Sequence, residues 1–289
     1  MGKQGHFMQD YRSVGGLSAI ASSFDLFLID QFGVLHDGMR PYDGAVDCLK
    51  RLKAGGKTVV LLSNSGKRAS ANASRLEQFG FPRAAFDHVV TSGEVAWHGV
   101  KAHAFGAPFV PGSRVYLVGH DDYDYGLEEI GLRLVEDPAD ADFVLIAASL
   151  APQMSLAQYR VALAPAARNR IPALCCNPDR LMLTTGGLQP SAGEIAALYA
   201  ELGGPVSFVG KPYPAIYAAA IRQSLPVLPA ATLAIGDSIE HDIVGGNHAG
   251  LTTALVRTGL SADADDAQLL EEMRRCGASP AFVLPSLRW

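Results

Sequence analysis

The chain has 289 residues, of which 48% are hydrophobic and 18% are charged, and its formal net charge is -5. This length and composition are typical of a globular protein with a large buried core in one or two domains, and they exclude overall disorder. The negative net charge predicts no surface for nucleic acid. Residues 142–150 form about the longest apolar run. This run is far shorter than the roughly 20 residues that span a bilayer, and it is typical of a buried strand.

The start of the chain and its cysteines predict a cytoplasmic protein. Residues 1–16 lack the pattern of a signal peptide, and His6 occupies the position where a myristoylation signal requires Ser or Thr. The four cysteines lack the spacing of metal ligands, since only Cys175 and Cys176 are close in sequence. Adjacent cysteines rarely form a disulfide, so we expect reduced thiols in the core.

Strands and helices alternate at both ends of the chain. Each predicted strand is an apolar run that ends in polar residues, and each predicted helix repeats apolar side chains with a helical period. Such alternation is typical of βαβ units in a parallel sheet. The predicted elements are strands at residues 24–29, 59–62, 88–91, 206–209, 232–235 and 253–256 and helices at residues 44–54 and 70–79.

The middle of the chain predicts a second α/β domain. Loops rich in Gly and Pro flank it at residues 106–108 and 203–205. Its predicted elements are strands at residues 114–118, 143–147 and 173–176 and helices at residues 156–167 and 193–202. We therefore predict an α/β protein in which residues 1–105 and 206–289 form a doubly wound parallel-sheet core. Residues 106–205 are predicted to form an α/β domain inserted into this core.

Carboxylate side chains follow two of the predicted core strands. Asp30 ends the first strand, and Asp237 and Asp242 follow the strand at residues 232–235 in a loop that enters a helix. A single aspartate such as Asp30 is also well explained as the cap of the next turn. Several carboxylates at one edge of a sheet, however, are costly to bury unless a cation pairs with them. Oxygen ligands suit Mg²⁺, so the sequence predicts a magnesium site with Asp30 as the candidate nucleophile.

Hydroxyl, amide and ammonium groups follow two other predicted core strands. Ser63 and Asn64 can bind phosphate oxygens without adding charge, although this pair is also common as a turn or helix cap. Lys211 can neutralise a phosphate together with the attacking carboxylate, although a lone lysine is usually solvated. Because four strand ends of one predicted sheet carry such groups, the combination favours a phosphoryl-transfer site.

The order of these motifs resembles the haloacid dehalogenase-like (HAD) hydrolases. It is most similar to class IIA, in which an α/β cap domain lies between the second and third motifs and which contains nucleotide, p-nitrophenyl phosphate, phosphoglycolate and pyridoxal phosphate phosphatases. The resemblance covers residues 24–260. The motifs that carry it are Gly33-Val34-Leu35, Leu62-Ser63-Asn64-Ser65, Asn177-Pro178-Asp179, Gly210-Lys211-Pro212 and Gly236-Asp237 through Asp242-Ile243. The resemblance implies a Mg²⁺-dependent phosphatase that hydrolyses a small phosphorylated metabolite through an aspartyl-phosphate intermediate.

The resemblance also implies roles for individual residues. Asp30 is the nucleophile that becomes phosphorylated, and Ser63 and Lys211 hold the phosphate, with Asn64 beside them. The implied metal ligands are Asp30, the main-chain carbonyl of Phe32, Asp237 and, through water, Asp242. The physiological substrate and the oligomeric state stay open, although members of this class often pair through their caps.

A loop of the cap, at residues 179–191, faces the substrate by the same resemblance. Asp179 and Arg180 are its candidate specificity residues, and Gly186 and Gly187 form its candidate hinge. An arginine at this position can bind a second anion, but a surface ion pair explains Arg180 equally well. We predict no nucleic-acid or membrane partner.

The side chain of Phe32 departs from the family pattern. In most of these phosphatases, an aspartate at this position protonates the leaving oxygen and then activates water. Loss of a general acid typically costs ~10²–10⁴ in rate, so we expect slow turnover or selectivity for leaving groups that are stable anions. The dehalogenases also carry an aromatic residue here, but they use no metal, whereas Asp237 and Asp242 are both present in this chain.

The sequence alone leaves open whether another residue replaces this acid. A substitute would have to come from residues that flank the two carboxylate motifs, although histidines in such loops are more often on the surface. The candidates are His36, Asp37, Glu240 and His241. The alternative to a phosphatase is a catalytically impaired HAD-like protein that binds a phosphate ligand or acts in regulation.

Overall fold

The computed structural model describes residues 11–184 and 187–289, so the predictions about residues 1–10 and Gly186 lie outside the described residues. Strands alternate with helices over most of these ranges, and the two larger sheets are parallel, which confirms the predicted α/β class. The strands are β1 (Arg12–Ser13), β2 (Leu26–Asp30), β3 (Thr58–Ser63), β4 (His88–Thr91), β5 (Arg114–Val118), β6 (Arg133–Leu134), β7 (Phe143–Ile146), β8 (Ala173–Cys175), β9 (Leu181–Thr184), β10 (Gly187–Pro190), β11 (Val206–Phe208), β12 (Thr232–Gly236), β13 (Thr252–Val256) and β14 (Phe282–Leu284). The helices are α1 (Ala45–Ala54), α2 (Ala69–Gln78), α3 (Ser92–Lys101), α4 (Leu156–Arg168), α5 (Ala192–Glu201), α6 (Pro214–Gln223), α7 (Val244–His248) and α8 (Asp266–Cys276). Within the described ranges, no helix has the length and apolar character needed to cross a bilayer.

The contacts between residues divide the chain into two compact units. The first unit comprises the residues up to 63 together with 73–90 and 217–289. The second unit comprises residues 64–72 and 91–216. The division of the chain into a core of residues 1–105 and 206–289 and an inserted domain of residues 106–205 stays a prediction.

The first unit is built on a seven-stranded sheet in the order β1-β14-β13-β12-β2-β3-β4. β2 lies between β12 and β3 and is parallel to both. Ile29 of β2 pairs with Ile235 of β12, and on the other side Asp30 pairs with Leu62 of β3. β2 is buried along its whole length, as expected for a central strand of a parallel sheet. Because the three strands end in register, the residues that follow them leave the sheet at one edge.

A hydrophobic core anchors β2 within the first unit. Helix α1 begins after Gly44, and its apolar stripe of Cys48, Leu49 and Leu52 is buried. Phe27 of β2 belongs to the same cluster of buried side chains. Full burial of a leucine or phenylalanine side chain typically contributes ~1.5–3 kcal/mol. The strand that ends in Asp30 is therefore fixed by the core of its own unit.

The second unit contains a five-stranded parallel sheet in the order β11-β8-β7-β5-β6 and the antiparallel hairpin β9–β10. The strand that leads to Lys211 is β11, and it pairs with β8 at the edge of this sheet. The prediction that this strand belongs to the sheet that carries Asp30 was therefore wrong. A strand that follows a crossover helix usually lies beside a strand that precedes the helix, and here α5 lies between β8 and β11 along the chain. The apolar pattern of a strand does not specify its partner.

Candidate active site

Three aspartates of the first unit form a buried cluster. Asp30, Asp237 and Asp242 each offer a carboxylate oxygen, and these three oxygens lie within 4.8 Å of one another. The residues are only 8%, 3% and 5% exposed, respectively. Grouping carboxylates away from water is unfavourable unless a cation offsets their charge, and an all-oxygen ligand set suits a hard divalent cation. The residues present therefore fit Mg²⁺.

The turn after β12 directs Asp242 into the cluster. Ile239–Ile243 form a single π-helical turn, in which the Ile243 N–H donates to the carbonyl oxygen of Ser238 (3.2 Å). The Ser238 N–H donates to Asp242 Oδ2 (3.2 Å), which fixes that carboxylate. A Cβ at position 236 would overlap the Asp242 side chain, so glycine is required at the end of β12. Turns of this kind are rare and occur frequently at functional sites.

The loop after β13 holds Asp237 in place. The Leu260 N–H donates to Asp237 Oδ2 (2.6 Å), and the Ser261 hydroxyl donates to the Asp237 carbonyl oxygen (2.6 Å). The Thr258 hydroxyl donates to the carbonyl oxygen of Gly33 (2.5 Å), which joins this loop to the one that follows β2. The sequence marked this loop only as the polar end of a strand. Its role was missed because no local pattern indicates a hydrogen bond between residues 225 positions apart.

Two glycines leave room for the Asp237 carboxylate. Gly33 and Gly259 have positive φ angles of +84° and +55°, which side chains other than glycine rarely adopt. A Cβ at either position would also overlap Asp237 Oδ2. Both the backbone conformation and the available space therefore require glycine beside this aspartate.

We expect Gly33→Ala to destabilise the protein more than Gly56→Ala. Gly33 and Gly56 both have positive φ, at +84° and +72°, but no described atom lies within 4 Å of a Cβ at position 56. Gly56→Ala is therefore a matched control that costs only backbone strain, about 1–2 kcal/mol. Gly33→Ala must in addition displace the Asp237 carboxylate. Urea unfolding of the two variants measures the difference, and equal losses of unfolding free energy would show that this carboxylate moves at no cost.

Phe32 places an apolar ring at the position where the resemblance to the HAD phosphatases predicts a general acid. The side chain is 42% exposed and packs edge-on against the imidazole of His36, with ring centroids 5.9 Å apart. A Cβ at Gly38 would lie 3.0 Å from the phenyl ring, so the main chain passes close to it. Residues 32–41 form a hairpin loop with bridges from His36 to Phe32 and to Pro41. A phenyl ring has no ionisable proton, so this side chain does not protonate a leaving group.

His36 does not meet the requirements of the substitute acid. Its imidazole is buried, with a ring centroid 4.8 Å from that of Phe79, and its Nδ1 accepts from the Gly38 N–H (3.1 Å). Burial lowers the pKa of His36 to about 4, with a further contribution from Arg75 that Asp37 partly opposes. The imidazole is therefore neutral near pH 7 and braces the hairpin loop.

Two other candidate acids have different tasks. Asp37 accepts main-chain hydrogen bonds from Arg40 and the residue before it (both 2.8 Å), which caps the turn of the hairpin loop and lowers the pKa of this exposed carboxyl group. The exposed carboxylate of Glu240 lies 3.4 Å from the guanidinium of Arg275. The fourth candidate, His241, is half-buried, and its role as the substitute acid stays a prediction.

In the second unit, the side chain of Asn64 is bonded to the main chain of Lys211. Asn64 Oδ1 accepts from the Lys211 N–H (2.7 Å), and Asn64 Nδ2 donates to the Lys211 carbonyl oxygen (3.1 Å). Nδ2 also donates to Asp179 Oδ1 (2.7 Å), and the Ser92 hydroxyl donates to Oδ1 (3.4 Å). An amide side chain has two donor and two acceptor positions, and all four are used here. The phosphate-binding role predicted for this amide stays a prediction.

The other predicted residues lie as follows. Arg180 is exposed, and its Nε lies 2.6 Å from Glu194 Oε2, so the structure shows the surface ion pair that the sequence left open. Ser63 is half-buried at the end of β3, in the first unit. The phosphate-binding roles of Ser63 and Lys211 stay predictions.

Comparison with known proteins identifies the family. Residues 27–133 match the family model described as haloacid dehalogenase-like hydrolase, and residues 208–289 match a model described as HAD-hydrolase-like. The chain is 32% identical to D-glycerol 3-phosphate phosphatase of Mycobacterium tuberculosis over 94% of this chain and 72% of the relative. It is 31% identical to chronophin of Homo sapiens over 81% of each chain. The chain therefore belongs to the haloacid dehalogenase-like hydrolases, as predicted.

Solved structures agree with this assignment. A haloacid dehalogenase-like hydrolase from Brucella suis 1330 has a TM-score of 0.81 and 27% sequence identity, covering 95% of this chain and 99% of its own. Glycerol phosphate phosphatase from Mycobacterium tuberculosis, solved in complex with magnesium, has a TM-score of 0.68 and 28% identity, covering 86% and 74% of the two chains. A second structure of that enzyme contains calcium. Relatives of the chain are thus named phosphatases, one of which binds divalent cations.

Proposed function

We propose that this protein is a Mg²⁺-dependent phosphatase that hydrolyses a small phosphorylated metabolite through an aspartyl-phosphate on Asp30. The observation that carries the proposal is the buried cluster of Asp30, Asp237 and Asp242, whose carboxylate oxygens lie within 4.8 Å of one another. The phosphatase names of its relatives support the reaction class. Asp30 is held at the end of a buried central strand, which provides the fixed position that a nucleophile needs.

Residues of this chain are proposed for the attack on phosphorus, for phosphate binding and for metal binding. A carboxylate oxygen of Asp30 attacks phosphorus, and the bond from phosphorus to the leaving oxygen breaks. A water oxygen then attacks phosphorus, the bond from phosphorus to the Asp30 oxygen breaks, and inorganic phosphate and a proton are released as the carboxylate is regenerated. Ser63 and Lys211 bind phosphate oxygens. Asp30, the main-chain carbonyl of Phe32, Asp237 and Asp242 would hold Mg²⁺, which when bound offsets the negative charge of the phosphate.

The rate should fall steeply as the pKa of the leaving group rises, because Phe32 has no proton to give to the departing oxygen. An aryl phosphate with an acidic phenol should therefore turn over far faster than an alkyl phosphate of similar size. Phe32→Asp should flatten this dependence and raise the alkyl rate by up to ~10²-fold. Phe32→Leu is the matched control, since it removes the ring without adding an acid and should keep the steep dependence. Initial rates of the unaltered protein and the two variants with a series of phosphate esters give the dependence of each rate on the leaving-group pKa.

The unaltered protein gives the sharper test, because a site shaped by a phenyl ring against Gly38 and His36 can misplace a new carboxyl group. Ready hydrolysis of alkyl phosphates, with no dependence on leaving-group pKa, would show that another residue donates the proton. His241 would then be the first residue to replace. Binding of Mg²⁺ and phosphate without turnover of any ester would instead favour a phosphate-binding or regulatory protein, the second function that Phe32 supports.

A further inference from the structure

We propose that Asn64 is a positioning residue that fixes the main chain of Lys211, and that Asp179 orients Asn64 for this task. The inference rests on the proposed function, because it concerns the lysine to which phosphate binding is assigned. It gives Asn64 and Asp179 roles different from the phosphate and substrate contacts predicted from the sequence. All three residues lie in the second unit.

The side-chain amide of Asn64 bonds Lys211 as a neighbouring β-strand would. Its oxygen accepts from the Lys211 N–H (2.7 Å), and its nitrogen donates to the Lys211 carbonyl oxygen (3.1 Å). Two hydrogen bonds to one residue fix the peptide groups on both sides of the Lys211 Cα. The lysine side chain then extends from a fixed point, which reduces the loss of conformational entropy when its ammonium group binds an anion.

Asp179 and Ser92 determine the orientation of the Asn64 amide group. Asp179 Oδ1 accepts from the amide nitrogen of Asn64 (2.7 Å), and the Ser92 hydroxyl donates to the amide oxygen (3.4 Å). If the amide were reversed, its oxygen would face the Asp179 carboxylate and its NH2 group would face the Lys211 N–H. Acceptors would then meet acceptors and donors would meet donors, and buried polar groups would lose their partners. Asp179 therefore acts on Lys211 through Asn64.

Close packing leaves little room for these residues to rearrange. Asn64 and Lys211 are each 4% exposed, and Ser92 is fully buried. Gly210, with φ of +121°, precedes the lysine, and a Cβ there would overlap Ser92 Oγ and lie 2.8 Å from both Asn64 Oδ1 and Pro178 Cδ. The Gly-Lys-Pro and Asn-Pro-Asp motifs thus pack against each other around Asn64.

Binding of inorganic phosphate to the whole protein at saturating Mg²⁺ tests the proposal. Asn64→Ala should raise the phosphate Kd by about 10-fold to 100-fold, the range typical of residues that orient a ligand-binding group. The Mg²⁺ Kd should not change, because Asn64 makes its hydrogen bonds to Asp179, Lys211 and Ser92 and none to the three clustered aspartates. Asp179→Ala should raise the phosphate Kd by up to about 10-fold, since the charge-assisted hydrogen bond to the Asn64 amide is lost. Asp179→Asn should restore most of the affinity, because an amide oxygen can still accept from Asn64.

A double-mutant cycle tests whether Asp179 acts through Asn64. The phosphate Kd of Asn64→Ala/Asp179→Ala should equal that of Asn64→Ala, because no amide remains for Asp179 to orient. Asn72→Ala is the matched control. Asn72 is a half-buried asparagine of the same unit that donates to Ser65 Oγ and the Arg68 carbonyl oxygen (both 3.3 Å), and its removal should leave the phosphate Kd unchanged. Calorimetry gives both dissociation constants, and thermal unfolding gives the stability of each variant.

The outcomes separate this proposal from the function on which it rests. A phosphate Kd for Asn64→Ala within about twofold of the unaltered protein, together with loss of binding in Lys211→Ala, would overturn the positioning role alone. An equal loss of affinity in Asn72→Ala would assign the effect to general destabilisation and also overturn it. If the unaltered protein binds no phosphate, the proposed function itself fails. Should Asn64→Ala not fold, Asp179→Ala decides, and an unchanged phosphate Kd in that variant would refute the coupling to Lys211.

Discussion

Replacement of Asp30 by Asn should abolish turnover of every phosphate ester. The asparagine amide is a poor nucleophile toward phosphorus, whereas its size matches that of aspartate and preserves the packing at the end of β2. Loss of the group that forms a covalent intermediate typically costs more than the loss of a general acid, so we expect a decrease of at least ~10⁴-fold. Initial rates with an aryl phosphate, which is the substrate least dependent on a proton donor, provide the measurement.

The matched control for this variant is Asp25→Asn. Asp25 precedes β2 at its other end, is exposed and lies 3.1 Å from the ammonium of Lys57. Its replacement removes the same charge from the same part of the chain without touching the aspartate cluster, so turnover should be unchanged. A substantial rate in Asp30→Asn would contradict covalent catalysis by this residue. A comparable loss in Asp25→Asn would mean that the effect comes from altered folding.

Replacement of Asp237 by Asn should bring Mg²⁺ binding below detection, whereas Asp242→Asn should weaken it by ~10–100-fold. Asp237 is the least exposed of the three clustered aspartates, at 3%, and Leu260 and Ser261 fix its position. The family resemblance makes it a direct ligand and places water between Asp242 and the metal. Loss of a direct ligand removes a charged oxygen from the metal. Loss of a residue that binds the metal through water changes only the orientation of the remaining ligands.

Calorimetry with Mg²⁺ on both variants decides this prediction. Asp263→Asn is a suitable control, because Asp263 is exposed two residues beyond the serine that bonds Asp237. Its replacement changes the net charge by the same amount and should leave the Mg²⁺ Kd unchanged. Equal losses in Asp237→Asn and Asp242→Asn would show that direct and water-mediated ligands have been assigned wrongly.

Local patterns in the sequence located many of the elements that build the fold. The strand predicted at residues 88–91 is β4 (His88–Thr91), and the helix predicted at 156–167 is α4 (Leu156–Arg168). Helices α6 and α8 were not predicted although signals were present. Pro214 stands at the first position of α6, and Asp265 forms a capping box with Gln268 at the start of α8. Helix α3 was harder to find, because two glycines weaken its helical propensity.

The aspartate cluster could be predicted from the sequence, because the residues that follow neighbouring parallel strands lie at a common edge of the sheet. An apolar run that ends in Asp30 and another that ends in Gly236-Asp237 were sufficient to expect their carboxylates to meet, and the structure brings them within 4.8 Å of each other. That Phe32 replaces a general acid is likewise a prediction made from the sequence. Both conclusions depend only on the residue type and its place next to a strand.

The sequence by itself thus determined the α/β class, the family and the positions of the three aspartates, because strand ends are local features. Only the tertiary structure placed β11 beside β8, joined Thr258 to Gly33 and used the Asn64 amide to hold Lys211. It also decided that the imidazole of His36 is buried and neutral, with a pKa lowered to about 4. These properties arise from burial and from contacts between residues far apart in the chain. Hydrophobic periodicity predicts neither this burial nor these contacts, because it depends only on the residues within one helix or strand.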